Sequence, residues 1–170
     1  MQKRYPLLAL VIIAAIIASF SISASTSTQW KQVGDAKLKV MFWDVYTARL
    51  YTETGKFDGI QGPLKLHLTY HIDIDADELA EETGKQWRKM NFKHPDDSAW
   101  VAELHQIFPS LKRYDSLTLI LDEQGQGKLL HNNQPHHDFE PSVQLQQFLA
   151  IWLSKRSTRP DLVAELTGQR

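Results

Sequence analysis

The chain has 170 residues, with 19 Lys and Arg against 20 Asp and Glu, so its formal charge is −1. It contains no cysteine, which excludes disulfides, a thiolate nucleophile and a cysteine-based metal site. It also lacks the basic excess that a nucleic-acid-binding surface requires.

The first 24 residues have the order of a secretory signal peptide. Lys3 and Arg4 are followed by a run of almost wholly apolar residues over 7–20 and then by small residues around Ala24. We predict cleavage near Ala24, a single domain over 25–170 and a periplasmic or secreted protein. The alternative is an inner-membrane anchor formed by residues 7–20, although this run is shorter than the roughly 20 residues that span a bilayer.

The next segment has strand periodicity. Apolar residues alternate from Ala36 to Phe42 and again from Tyr46 to Leu50, and a turn or bulge is expected near Trp43-Asp44. Residues 64–74 show the clearest alternation, with six apolar side chains on one face and polar ones on the other. Three strands are therefore predicted before the first helix.

Capping residues and prolines mark the helices. Asp75 with Glu78 resembles a capping box, a second helix is expected to start at Pro95-Asp96-Asp97, and Pro141 and Pro160 precede two more. Between the two helix pairs, strands are predicted at residues 117–121 and 128–131. The order β-β-β-α-α-β-β-α-α predicts an α+β fold, an open-faced sandwich with helices packed on one face of an antiparallel sheet.

Three histidines near the end of the last predicted strand are candidate metal ligands. His131, His136 and His137, with Asp138 or Glu140 nearby, offer nitrogen and oxygen donors of the kind that zinc binds. Their spacing fits no known site, so we predict a solvated loop and no metal. His67 and His71 share the polar face of the third strand, where solvent exposure is expected.

Aromatic residues suggest a pocket between sheet and helices, at which Lys37 or Lys39 would pair with a carboxylate or phenolate. The alternative is a filled core with the lysines in water. The aromatic residues that would form this layer are Trp43, Tyr46, Tyr51, Trp87 and Trp100.

Several segments together resemble the bacterial chalcone isomerase-like family, over nearly all of residues 25–170. They are Val33-Gly34-Asp35-Ala36-Lys37-Leu38, residues 42–51, residues 64–70, Ile107-Phe108-Pro109, residues 151–155 and Arg159-Pro160-Asp161-Leu162. The resemblance implies an antiparallel sheet covered by helices on one side. It also implies a cleft between the two layers, which in plant members binds a flavonoid precursor or a fatty acid.

Isomerases of that family use an arginine, a threonine, a tyrosine and an asparagine. Here Tyr46 stands at the threonine's position, Lys37 is the nearest cation to that of the arginine, and residues 76–108 contain no tyrosine. We therefore assign no catalytic residue and no cofactor.

The function expected from the resemblance is that of an exported, non-catalytic binding protein for an apolar or amphipathic molecule such as a fatty acid or phenolic acid. Lys37 would be the anion partner, with Tyr46 and Trp87 lining the wall. The alternatives are an isomerase or lyase acting on such a ligand, and an envelope protein with a filled core that is structural or binds an unknown protein partner.

Overall fold

The computed structural model describes residues 29–169, so the predicted signal segment 1–24 and its cleavage point lie outside the described residues. Six antiparallel strands form one sheet in the order β1-β2-β3-β4-β5-β6, each paired with its neighbour in the chain. This confirms the antiparallel sheet. The strands are β1 Lys31–Val40, β2 Trp43–Thr52, β3 Leu64–Tyr70, β4 Ser116–Leu121, β5 Gly127–His131 and β6 Gln134–Phe139.

Four helices complete the fold. They are α1 Ala76–Lys89, α2 Asp97–Ile107, α3 Val143–Leu153 and α4 Pro160–Leu166. The predicted capping box is present at α1, where the Glu78 carboxylate accepts the Asp75 backbone N–H at 3.3 Å. Proline is the first residue of α4, where its missing N–H removes no helical hydrogen bond. The predicted α+β fold is confirmed. No helix within residues 29–169 is both long and apolar enough to cross a bilayer.

The first hairpin contains both a turn and a bulge. The turn falls at Met41-Phe42, and the register then shifts so that Leu38 pairs with Tyr46 while Lys39 pairs with Asp44. Val45 is the extra residue on β2. The irregularity expected near Trp43-Asp44 therefore consists of two features, one on each side of that dipeptide.

The sixth strand corrects the prediction of a solvated loop. His136 and His137 lie on β6, which pairs with β5 through a tight turn at Asn132-Asn133. The periodicity of residues 134–139 was uninformative because β6 is an edge strand on which four of six residues are exposed. Within the part of the chain that the structure describes, no three His, Asp or Glu side chains come close enough to hold a metal ion.

The core lies between one face of the sheet and the helices. Alternate residues of β2 to β5 point into it, and α3 contributes Leu145 and Leu149, both fully buried. Each fully buried leucine stabilises the fold by about 1.5–3 kcal/mol relative to an exposed one. The opposite phase of each strand faces away from the helices, which explains the alternation in the sequence.

Candidate functional site

A cavity of about 800 Å³ lies between the sheet and the helices. This falls in the range of 300–1,000 Å³ that is typical of small-molecule sites. Its floor is apolar and consists of the side chains of β1 to β5 that point towards the helices. The floor residues include Ala36, Leu38, Tyr46, Ala48, Leu66, Leu68, Tyr70, Leu117, Leu119 and Leu129.

Small side chains give the cavity its depth. Ala36 on β1 and Ala48 on β2 lie directly opposite each other in the ladder, and both line the cavity. A facing pair of inward residues on adjacent strands approaches within about 5 Å, so two alanines leave room that leucines would fill. The helical wall opposite comprises Leu79, Phe148, Ile151, Trp152, Leu162 and Val163.

The rim is charged. Along α1, three acidic residues and two lysines contribute to the lining, and Arg159 contributes from the segment before α4. Acidic side chains outnumber cations on the rim as a whole, since Asp73 also belongs to it. An anionic group would therefore be favoured only beside a cation of the lining, of which Arg159 is the one outside α1. The α1 residues are Glu78, Glu81, Glu82, Lys85 and Lys89.

Tyr46 supplies a polar group inside the cavity. Its hydroxyl accepts the indole N–H of Trp152 at 3.0 Å, which leaves the phenolic proton for another acceptor. Burial raises the pKa of Tyr46 to about 12. The Tyr70 ring packs edge-on against it with centroids 5.8 Å apart, and burial raises the pKa of Tyr70 also. Both phenols are consequently neutral hydrogen-bond donors at neutral pH.

Arg159 places a permanent positive charge near this donor. Its Nε and Nη2 donate to the two carboxylate oxygens of Asp161 at 3.3 and 3.0 Å. That pairing raises the pKa of Arg159 and lowers the pKa of Asp161. Because a guanidinium carries five N–H donors, those on Nη1 are left for an additional acceptor. Arg159 and Tyr46 also interact electrostatically with each other.

The three predicted ligand-binding residues occupy three different environments in the structure. Tyr46 lines the cavity, as expected. Lys37 is exposed and forms a 3.1 Å ion pair with Asp44, outside the cavity lining. Trp87 is buried in the core next to the cavity, where its indole N–H donates to the Gln147 carbonyl at 3.2 Å. Only one of the three therefore faces the cavity.

The proposed aromatic layer is also smaller than expected. Trp87 and Trp100 stack with centroids 5.4 Å apart, but Trp43 is 72% exposed. The centroid of the Tyr51 ring lies 4.3 Å from the Lys65 ammonium nitrogen. Arg159 was not predicted as a site residue, although it belongs to the Arg159-Pro160-Asp161-Leu162 segment that resembles the family. The hydrogen bond from Trp152 to Tyr46 was not predicted either.

The two histidines of the third predicted strand are not simply solvent-exposed. His67 is half-buried on the outer face of β3, with Nδ1 2.7 Å from the Thr118 hydroxyl and Nε2 3.2 Å from that of Thr69. Burial lowers the pKa of His67, and the charges of Arg49 and Lys65 lower it further. His71, just after β3, lies 2.8 Å from the Thr47 hydroxyl. These contacts form a polar network on the outer face of the sheet.

Comparison with known proteins supports the fold. No protein-family model matches the chain. An uncharacterized protein of Haemophilus influenzae is 29% identical over 159 residues, which is 93% of this chain and 77% of that protein.

Among solved structures, a fatty-acid binding protein of Arabidopsis thaliana matches with a TM-score of 0.57 at 11% identity, over 82% of this chain and 87% of the other. At that identity the match establishes architecture alone. Together with the sheet order and the helical layer, it shows that this chain has a chalcone isomerase-like α+β fold.

Proposed function

We propose that the chain is an exported, non-catalytic binding protein for an amphipathic carboxylate such as a fatty acid or a phenolic acid. The observation that carries this proposal is the apolar cavity between sheet and helices, with the Tyr46 hydroxyl inside it and Arg159 on its rim. A predominantly apolar pocket with a few convergent polar groups is the usual form of a small-molecule site.

The expected binding mode follows from the polarity of the walls. The acyl chain or aromatic ring lies against the leucines and alanines of the sheet, and the carboxylate lies at Arg159 and the Tyr46 hydroxyl. Charge-assisted hydrogen bonds to a guanidinium are among the stronger polar contacts in proteins. The carboxylates of α1 disfavour an anion, and Glu82 does so even near Tyr46, where the charge of Arg159 opposes it. The fatty-acid binding neighbour in Arabidopsis supports this class of ligand.

The protonation state of Tyr46 argues against a general-base role for this residue. A general base is most effective when its pKa lies near the working pH. Because the pKa of Tyr46 is raised to about 12, this phenol donates a hydrogen bond at neutral pH and does not remove a proton. The isomerase alternative predicts that purified protein consumes a chalcone, which absorbance would detect.

Native mass spectrometry of the purified chain, followed by organic extraction, tests the proposal. We expect a fatty acid or aromatic acid in near-stoichiometric amount. We also expect a fatty acid added to delipidated protein to raise its melting temperature, since a ligand bound only to the folded state stabilises it. An empty protein that no fatty or phenolic acid stabilises would contradict the proposal and favour the filled-core alternative.

Two variants distinguish the role of Arg159, the cation at the rim, from that of Lys37, the cation predicted from sequence. Arg159→Gln should weaken binding of a fatty acid about tenfold or more, since a hydrogen bond to a charged group contributes roughly 1.5–3 kcal/mol. Lys37→Ala should leave binding unchanged, because Lys37 pairs with Asp44 outside the cavity. The corresponding fatty alcohol should bind both variants like the parent chain. Equal loss in both variants would contradict the role given to Arg159.

Export is proposed from the order of residues 1–24. The intact mass of the protein recovered from a periplasmic fraction should correspond to a chain that begins near Ser25. A full-length mass in the membrane fraction would instead support the anchor at residues 7–20.

A further inference from the structure

The turn of the first hairpin is the most apolar exposed surface among residues 29–169. Four consecutive side chains project there, with exposed fractions of 52% for Val40, 85% for Met41, 95% for Phe42 and 72% for Trp43. We call residues 40–43 the apolar tip. Scattered single apolar residues are normal on a protein surface, but a contiguous run that includes two large aromatic side chains is not.

Folding does not account for the apolar tip. Turns at such positions usually carry Gly, Asn or Asp, which tolerate a positive φ. Met41 adopts a φ of 55° in this turn, a conformation that costs free energy for a residue with a side chain. The Met41 and Phe42 side chains recover little of that cost, since both are almost wholly exposed. The residue types at the tip therefore point to a function.

The tip is continuous with the cavity. Val40 belongs both to the tip and to the cavity lining, and Leu38 and Val45 extend the lining from the same hairpin. An apolar path thus runs from the exposed turn to the space between sheet and helices. A surface that covered the tip would lie next to the cavity.

We propose that the apolar tip inserts into the interfacial region of a phospholipid bilayer. Tryptophan and phenylalanine are typical of segments that lie at the boundary between headgroups and acyl chains. Lys37 and Lys39 stand just behind the tip and share one carboxylate, that of Asp44, at 3.1 and 3.4 Å. The hairpin keeps one net positive charge there, which anionic headgroups attract.

Two other occupants fit the geometry less well. A second copy of the chain would need to cover roughly 800 Å² on each partner for a stable interface, and four side chains on a protruding turn are small against that area. The apolar run 7–20 is the other occupant. The tip is roughly 30 Å from Lys31, at about 3.4 Å per residue of β1. At about 3.3–3.6 Å per residue, the eight residues 21–28 span at most about 29 Å, which is no more than that distance.

This inference does not depend on the ligand proposed above, because insertion of the tip can be measured on protein without ligand. If both proposals hold, the bilayer is the source or destination of the amphipathic molecule. The cavity would then exchange its ligand with the membrane without passage of the acyl chain through bulk water.

Because the sequence contains no cysteine, a thiol-reactive label modifies only the cysteine that is introduced. A single cysteine is introduced by Met41→Cys and labelled with the environment-sensitive fluorophore nitrobenzoxadiazole. The matched control is Gln124→Cys in the exposed β4–β5 turn, which lies at the opposite end of the sheet. Both proteins are used as purified from cells. They are mixed with vesicles of phosphatidylcholine and phosphatidylglycerol in equal parts.

We expect the fluorescence at position 41 to increase and shift to the blue on addition of vesicles, while position 124 does not respond. The double change Phe42→Ser with Trp43→Ser should lower the vesicle partition coefficient about tenfold or more, since two large apolar side chains no longer insert. Val143→Ser, which removes an apolar side chain that is 51% exposed at the start of α3, should leave partitioning unchanged.

Three outcomes would overturn the proposal. The first is no response at position 41, and the second is an equal response at positions 41 and 124. The third is a response at position 41 that appears without lipid as protein concentration rises, together with a doubled native mass, which would identify a second copy as the occupant. Unchanged melting temperatures in the serine variants would show that lost partitioning is not lost folding.

Discussion

At the scale of single residues, the outer face of the sheet contains a half-buried titratable group with neutral partners. His67 contacts the hydroxyls of Thr69 and Thr118. Burial, with the nearby charges of Arg49 and Lys65, disfavours its protonated form and lowers its pKa. The imidazole is thus held neutral in the folded protein, which couples folding to pH.

The sign of that coupling can be predicted. An unfolded histidine titrates near 6.5, so below that pH the unfolded chain binds a proton at His67 more readily than the folded chain does. Stability therefore falls as pH drops below about 6.5, until the pH passes below the lowered pKa of the folded state. His67→Gln should reduce this acid-side loss. Urea unfolding curves measured from neutral to mildly acidic pH would reveal it.

His105→Gln is the matched control. His105 lies on the exposed side of α2 with Nδ1 2.7 Å from the Asp77 carboxylate. This variant should retain the acid-side loss that His67 causes. If the pH dependence of stability were the same in the parent and in His67→Gln, the outer-face histidine would not be coupled to folding.

At the scale of elements, the contact between α4 and β1 requires a glycine. A Cβ on Gly34 would lie 2.3 Å from the backbone oxygen of Glu165 and 2.7 Å from that of Leu166. Backbone atoms cannot move aside as the end of a flexible side chain can. Gly34→Ala should therefore displace α4 and lower the free energy of unfolding by about 1–3 kcal/mol, the usual range for overpacking. Chemical denaturation would measure the change.

Gly84→Ala provides the contrasting change within α1. Its Cβ would meet the Arg88 guanidinium at 3.3 Å and a Val101 methyl at 3.4 Å. The guanidinium can rotate away, and alanine is favoured over glycine inside a helix by about 0.8–1.0 kcal/mol. This variant should be as stable as the parent chain or more stable. Similar losses in the two variants would show that α4 does not pack as closely on β1 as the structure indicates.

The elements that could be predicted from sequence were those with local signals. The capping residues before α1 and the alternation in β3 predicted a helix and a strand that the structure contains. The edge strand β6 could not be predicted from periodicity, since its side chains are mostly exposed and lack alternation. Its partner β5, rather than its own residue pattern, makes this segment a strand.

The candidate site could be predicted only in part, for a related reason. Strand alternation places Tyr46 on the inward face, and Tyr46 is among the residues that line the cavity. The same alternation places Leu38 inward and consequently Lys37 outward, so Lys37 could not reach the cavity. Arg159 joins Tyr46 only through the packing of the segment before α4, and no local sequence pattern encodes such a contact.

At the scale of the whole molecule, helices cover one face of the sheet, and the cavity lies between the two layers. The apolar tip extends from the end of the β1–β2 hairpin that also lines this space. A binding protein and a protein with a filled core would share this architecture. They differ in whether added volume at the floor of the cavity is tolerated.

Ala48→Leu tests this difference directly. Ala48 lies on the floor opposite Ala36, and its new side chain would enter space that a ligand would occupy. Burial of each added methylene contributes about 0.8 kcal/mol, so the free energy of unfolding should stay within about 1 kcal/mol of that of the parent chain or increase. Fatty-acid binding should weaken, because leucine and ligand compete for the same volume. Urea unfolding and ligand titration on the same protein would measure both effects.

Ala80→Leu is the matched control, because Ala80 is fully buried on α1 and does not line the cavity. There the added side chain has no space to enter, so overpacking should lower the free energy of unfolding by about 1–3 kcal/mol. A stable Ala48→Leu with weakened binding, beside a destabilised Ala80→Leu, would establish that the cavity is open in solution and is the ligand site. Equal destabilisation of the two variants would mean that the floor is already packed, and the search would turn to a protein partner.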